Sequence, residues 1–244
     1  MNRTGFPFKA VLFDWAHTLV DLMDEDDRVP LELIHDHLAG LGFTVPDFQK
    51  FYDTYHDLFF GMIEISRVTH REARFDHVLQ YLLAQNDIHL NGKVRLQDLL
   101  KMYYEKIYSR RRVFPEVIET LASLKNSGIA MAVVSNTTNP GSMKDYEQTL
   151  MGLDSYFQFS IYSSEVPYRK PHPSIFQLAL DRLNMKPEEV LFVGDNLRMD
   201  VQGAQSVGMK AAWLNRKGRA LTDPVEPDYT LQSLAEILKL PQVS

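Results

Sequence analysis

The chain has 244 residues, 45% hydrophobic and 24% charged, with a net charge of −6 and no cysteine. This is the balance of a soluble globular protein able to bury one large domain, or a domain carrying an insertion. It excludes disulfides and thiolate metal sites, argues against a nucleic-acid role that needs a basic face, and offers no run near the roughly 18 apolar residues of a membrane span.

The amino terminus lacks the charged-then-apolar pattern of a signal peptide, so a cytosolic protein with no membrane partner is expected. Arg110-Arg111-Arg112 is taken as the dense basic patch. The first element is the apolar run ending at Phe13, short and branched enough to be a strand buried on both faces. It stops at a carboxylate, Asp14. In open parallel sheets the carboxyl ends of strands are where ligands and chemistry collect, which makes Asp14 a candidate nucleophile or metal ligand.

An acidic stretch (Asp21, Asp24, Glu25, Asp26, Asp27) follows and reads as a solvated linker. Four helices are predicted after it. The first spans about 30–39, opened by Pro30 and closed by Gly40 and Gly42. The second starts near Asp47 and carries Phe48, Phe51, Tyr55, Leu58 and Phe59 at helical spacing. A third is expected to open on Thr69 and Glu72, spaced as a capping box, with Phe75, Val78, Leu79 and Leu82 on one face. The fourth covers about 94–108 with the core stripe Leu99, Met102, Tyr103 and Ile107. No strand is evident over 21–110, so this block is expected to be a helical cap inserted into a core made of 1–20 and 111–244.

From Val113 onward helices and apolar runs alternate. Pro115 opens a helix containing Val117, Ile118, Leu121 and Leu124, closed by Gly128, and Ile129 to Val134 follows as a strand ending in Ser135-Asn136. A helix over about 143–150 leads to a short strand over 159–162, then to Lys170-Pro-His-Pro and a helix over about 174–183. The run 189–194 is a strand ending at Asp195. A helix through 201–207 stopped by Gly208, a strand over 210–214 and a last helix near 231–238 complete the chain. Repeated βα units imply an α/β fold, a Rossmann-like parallel sheet with helices on both faces.

Three apolar runs thus end in polar residues at one topological edge, at Asp14, Ser135 and Asp195, and Lys170 adds a cation from a Pro-bracketed loop. Carboxylates gathered there suit a hard cation such as Mg²⁺, while lysine and serine suit phosphoryl oxygens.

This ordered set resembles the four motifs of the haloacid dehalogenase (HAD) superfamily: Asp14-Trp-Ala-His-Thr18, Val134-Ser135-Asn136, Arg169-Lys170-Pro171, and Gly194-Asp195 followed by Asp200. The resemblance implies a Mg²⁺-dependent phosphatase of small phosphorylated metabolites. Asp14 would form an aspartyl-phosphate, with Asp195 and the Ala16 carbonyl holding Mg²⁺ and Asp200 ordering the metal site. Thr18, Ser135 and Asn136 would bind substrate, and Lys170 would neutralise charge.

The departure is Ala16, where phosphatases of this family usually carry a second Asp as general acid and base. Losing such a group costs about 10²- to 10⁴-fold. His17 replaces a usual Gly and is either a substitute proton carrier or a loop histidine packed against the cap. Ala16 also resembles phosphonoacetaldehyde hydrolases, which need an imine-forming cap lysine; Lys50, Lys93, Lys101 and Lys106 are the candidates. True haloacid dehalogenases, which dispense with Mg²⁺, fit less well. A protein that binds a phosphometabolite or partner with little turnover is the remaining alternative.

Overall fold

A computed structural model describes residues 6–222 and 224–241. Its centre is strand β1, Ala10–Phe13, where every residue is buried. Strand alternation sends Ala10 and Leu12 to one face of the sheet and Val11 and Phe13 to the other. Among the described residues β1 lies within a six-stranded parallel sheet. Its flanking members are β4 (Ala130–Ser135), β5 (Ser160–Tyr162), β6 (Val190–Gly194), β7 (Lys210–Leu214) and β8 (Tyr229–Leu231), in the order β5-β4-β1-β6-β7-β8.

Helix α5 (Val117–Asn126) and a 3₁₀ turn at Leu234–Lys239 cover the Val11 and Phe13 face through Val117, Leu121, Leu124, Leu234 and Ile237. Helix α7 (Pro173–Leu183) covers the other face through Ile175, Phe176, Ala179 and Leu180. Side chains of this size each contribute about 1.5–3 kcal/mol when fully buried, so both faces are held mainly by apolar packing.

Helices α1 (Arg28–Gly40), α2 (Phe48–Thr69), α3 (Phe75–Gln85) and α4 (Leu96–Tyr108) pack around a separate apolar core. The stripe Leu99, Tyr103 and Ile107 is buried in it, with Met102 packed alongside. Phe75 stacks on Tyr103 at 4.1 Å between ring centres. The chain enters and leaves this helical body through an antiparallel pair, β2 (Val20–Asp21) and β3 (Arg112–Val113). Helix α6 (Gly141–Leu150) belongs to the sheet domain, yet its Met143 and Tyr146 touch the helical body.

Several expectations need correction. Thr69 does not open a helix; it is the last residue of α2, and α3 begins six residues later behind Arg74. Glu72 is free of capping duty because it pairs with Arg169 of the sheet domain at 3.1 Å, which a local pattern could not reveal. The basic patch dissolves, since Arg111 is only 6% exposed and faces Glu147 and Glu25. The acidic linker is exposed at Asp24, Glu25 and Asp26 as expected, but Asp27 accepts from the Tyr55 hydroxyl at 2.7 Å and from Tyr103. The helix expected through 201–207 is a π-helical turn, Leu197–Gln202, running into Gly203–Gln205. The last helix is instead β8 and the 3₁₀ turn, because Leu231 takes a place beside Leu214. No helix among the described residues is long and apolar enough to cross a membrane.

Candidate active site

The carboxyl ends of β1, β4 and β6 lie side by side in the parallel sheet and deliver Asp14, Ser135 and Asp195 to one edge. The amide of Asp14 donates to the Val193 carbonyl at 2.9 Å, so the nucleophile candidate is registered directly against the strand that carries Asp195. Lys170 arrives from the loop before α7 and donates to Asp14 Oδ1 and to Asp200 Oδ1, both at 2.7 Å. All three side chains are buried. Burial alone would strip the proton from Lys170, but the charges of Asp14 and Asp200 more than reverse that, and it stays an ammonium.

Single ligand atoms of Asp14, Asp195 and Asp200 all lie within 4.8 Å of one another. Burial, with the Asp14 charge added, lifts the Asp195 carboxyl to about 6. Burial raises Asp200 as well. Crowded buried carboxylates of this kind are where a divalent cation is most welcome, so the donor set fits a hard oxygen-seeking metal. Gly194 is what lets Asp200 approach: a side-chain carbon at 194 would overlap the Asp200 carboxylate.

The remaining predicted residues occupy more particular places. Thr18 is fully buried, and its hydroxyl reaches Asp14 Oδ2 at 3.4 Å. Asn136, expected at the substrate, bonds the lysine loop in this structure. Its amide donates to the Lys170 carbonyl at 2.9 Å while its carbonyl accepts from the Lys170 amide at 2.8 Å, so both ends hold the lysine loop. Asp200 also has both oxygens engaged, by Lys170 and by the Asn196 amide at 3.0 Å. His17 has a positive φ of 58° and an exposed side chain, which explains why glycine suits this position and shows that the ring is not packed under the cap.

Other residues around the site lie outside the four motifs. Beside Asp14, Trp15 Nε1 donates to Glu147 at 3.0 Å, and Glu147 also pairs with Arg111 at 2.6 Å and with Lys144. Burial and the Arg111 charge push Lys144 down from its ordinary value, while Lys144 and Arg111 together overcome burial to hold Glu147 below its own. Arg216 donates to the carbonyls of His17 at 3.2 Å and Thr18 at 2.8 Å, tying the β7 turn to the nucleophile loop. The cluster Arg216-Lys-Gly-Arg219 forms a second basic run in the sequence. Glu72 joins the helical body to the lysine loop through Arg169, and the Phe75 amide donates to the Thr138 carbonyl at 2.9 Å.

A sequence profile described as haloacid dehalogenase-like hydrolase matches residues 8–208. Pyrophosphatase PpaX of Bacillus thuringiensis (strain Al Hakam) is 35% identical over 240 residues, covering 95% of both chains. Glyceraldehyde 3-phosphate phosphatase of Pyrococcus furiosus is 29% identical over 236 residues, 96% of this chain and 92% of that one. Among solved structures, a HAD phosphatase from Thermococcus onnurineus is similar at 28% identity with a TM-score of 0.64, covering 95% of this chain and 97% of that one. A 2-haloacid dehalogenase from Pseudomonas syringae pv. Tomato DC3000 shares 25% identity at a TM-score of 0.72, with the same coverage.

Proposed function

The chain belongs to the haloacid dehalogenase-like hydrolases, and from that premise we propose that it is a phosphatase of a small phosphorylated metabolite, with Asp14 as nucleophile. The observation that carries this reading is the buried contact of Lys170 Nζ with Asp14 at 2.7 Å beside two further carboxylates. Asp14 attacks phosphorus, and the Lys170 ammonium offsets the repulsion between carboxylate and phosphate. Ser135 lies at the end of β4, where its hydroxyl donates to a phosphoryl oxygen. Held by Asp14 and Asp195, with the Ala16 carbonyl, Mg²⁺ would supply a Lewis-acidic centre for the phosphoryl charge. Asp200 and Asn136 keep Lys170 in place, and the helical block 21–110 acts as the cap that excludes water and selects substrate.

Ala16 carries no proton for the departing oxygen, so substrates with intrinsically good leaving groups are favoured. The names of the similar proteins offer both a phosphate ester and a phosphoanhydride as models. A carbon–phosphorus hydrolase that forms an imine on a cap lysine is disfavoured because Lys50, Lys93, Lys101 and Lys106 are all exposed, whereas an imine-forming lysine is activated by a desolvated pocket. Lys93 donates to the Leu41 carbonyl at 3.1 Å, and Lys101 faces Glu105 at 3.6 Å.

The test is acid-quenched turnover of p-nitrophenyl phosphate with Mg²⁺, followed by peptide mass spectrometry. A phosphoryl group on the Asp14 peptide of the wild type, absent from Asp14→Asn together with activity, is the expected result. Turnover that survives in Asp14→Asn overturns the assignment.

A further inference from the structure

Asp14, Thr18, Ser135 and Lys170 are all closed off, with exposures of 7%, 0%, 2% and 1%. Asp195 is the site carboxylate that opens outward, onto a cavity of about 560 Å³. One wall of this cavity is the turn after β7, bearing Arg216, Lys217 and Arg219; the other includes His17, Phe114 and Asp24.

The basic turn is a built feature. Asn215 is buried, accepts from the Arg219 amide at 2.9 Å and donates to the Arg219 carbonyl at 2.8 Å, pinning the turn at both ends. The three cations do different work. Arg216 lies 3.7 Å from the centre of the Phe114 ring, pairs with Glu116 and holds the nucleophile loop. That leaves Lys217 and Arg219 as the charges that serve the cavity. Arg219 Nη2 donates to the Asp195 carbonyl oxygen at 3.2 Å, which holds the guanidinium next to the metal-capable carboxylates, and the rest of its planar fork of donors matches phosphate geometry.

Two independent observations converge here. Residue 16 has no carboxyl to protonate a departing alkoxide, and the opening of the site carries paired cations. Both suit a leaving group that departs as an anion and brings its own charge. We propose that Lys217 and Arg219 form a subsite for the departing phosphate of a phosphoanhydride substrate. This rests on the phosphatase reading above and narrows it. The Asp14 oxygen forms a bond to the terminal phosphorus, and the bridging P–O bond breaks with its electron pair moving to the leaving phosphate. The substrate enters as the singly protonated anhydride with its proton on the departing phosphate, so that group leaves as hydrogenphosphate and takes no proton from the protein. Water then attacks the phosphoryl group, returning the pair of the Asp14–phosphorus bond to the carboxylate, and its proton leaves with the released phosphate.

The test compares wild type, Lys217→Gln, Arg219→Gln and the double variant, all full length with Mg²⁺, on inorganic pyrophosphate and p-nitrophenyl phosphate. Losing charge-assisted contacts to the leaving group should lower the pyrophosphate to p-nitrophenyl phosphate ratio of kcat/KM at least about tenfold in the double variant. Calorimetry with non-hydrolysable methylenediphosphonate should show the matching loss of affinity relative to inorganic phosphate. Equal losses on both substrates overturn the subsite, because the turn then acts only through Asp195. Wild type that hydrolyses p-nitrophenyl phosphate but not pyrophosphate overturns the subsite and leaves the phosphatase reading standing. If neither is hydrolysed, the phosphatase reading fails, and the calorimetric comparison alone decides whether the subsite exists.

Discussion

A methyl group at position 16 sits two residues beyond the buried Asp14, on a loop that Arg216 fastens by the carbonyls of His17 and Thr18. With the loop held so firmly, a carboxyl introduced there is placed by the backbone rather than left to wander. Ala16→Asp is expected to raise turnover of alkyl phosphates by at least about tenfold, within the range of general acid-base catalysis, and to help aryl phosphates much less. Steady-state kinetics on both ester classes checks this, and an equal gain on both would remove the acid-base explanation. Other single residues act by support. Asn136 braces Lys170 from both ends, and Gly194 supplies the space for Asp200.

The elements meet at two charge clusters, one buried and one part-buried. Glu147 on α6 gathers Lys144, Arg111 and the indole of Trp15, while Arg111 also pairs with Glu25 across the linkers that lead to and from the helical body. Removing the one anion shared by two buried cations should cost about 3–5 kcal/mol, so Glu147→Gln is expected to be strongly destabilising at neutral pH. Glu147 is held below its ordinary value of 4.5 because Lys144 and Arg111 outweigh burial, so the folded protein takes up this proton less readily than the unfolded chain. Its stabilising share is therefore complete above about 4.5 and is lost as pH falls through the lowered folded value. Urea unfolding of both proteins from neutral to acid pH should show the stability gap narrowing only on the acid side. A gap that stays constant there would remove the ion-pair explanation. The second cluster, Glu72 with Arg169, pins the helical body to the lysine loop and couples its position to Lys170.

For the whole molecule the question is whether the helical body is a separable cap. Its apolar core is distinct from those of the sheet, and Asp21 and Arg112 are paired across β2 and β3, so the two ends of the block stand side by side. A two-residue turn can bridge ends in that geometry. Replacing residues 22–111 by Asn-Gly is expected to leave a folded α/β protein by circular dichroism, still able to hydrolyse p-nitrophenyl phosphate slowly but with less discrimination among phosphorylated metabolites. Unchanged discrimination would move the specificity determinants to the sheet domain. The same surgery removes Arg111 and Glu72, so a lower thermal midpoint than the intact protein is also expected.

Sequence alone determined the elements whose patterns are local: β1 from its apolar run, the helices from their 3.6-residue spacing, and the convergence of Asp14, Ser135 and Asp195 once a parallel sheet was inferred. Strand ends must meet at one edge in such a sheet, however far apart they lie in the chain. Family resemblance supplied the chemistry that links those residues. Only the tertiary structure decided the roles that depend on contacts between distant segments. Glu72 reads as a helix cap until Arg169, 97 residues away, claims it. Arg111 reads as surface charge until Glu147 and Glu25 enclose it, and Leu231 as helical until the open edge of β7 takes it as a strand. In each case a polar or apolar group has two acceptable local states, and burial against a remote partner selects one, which no spacing along the chain encodes.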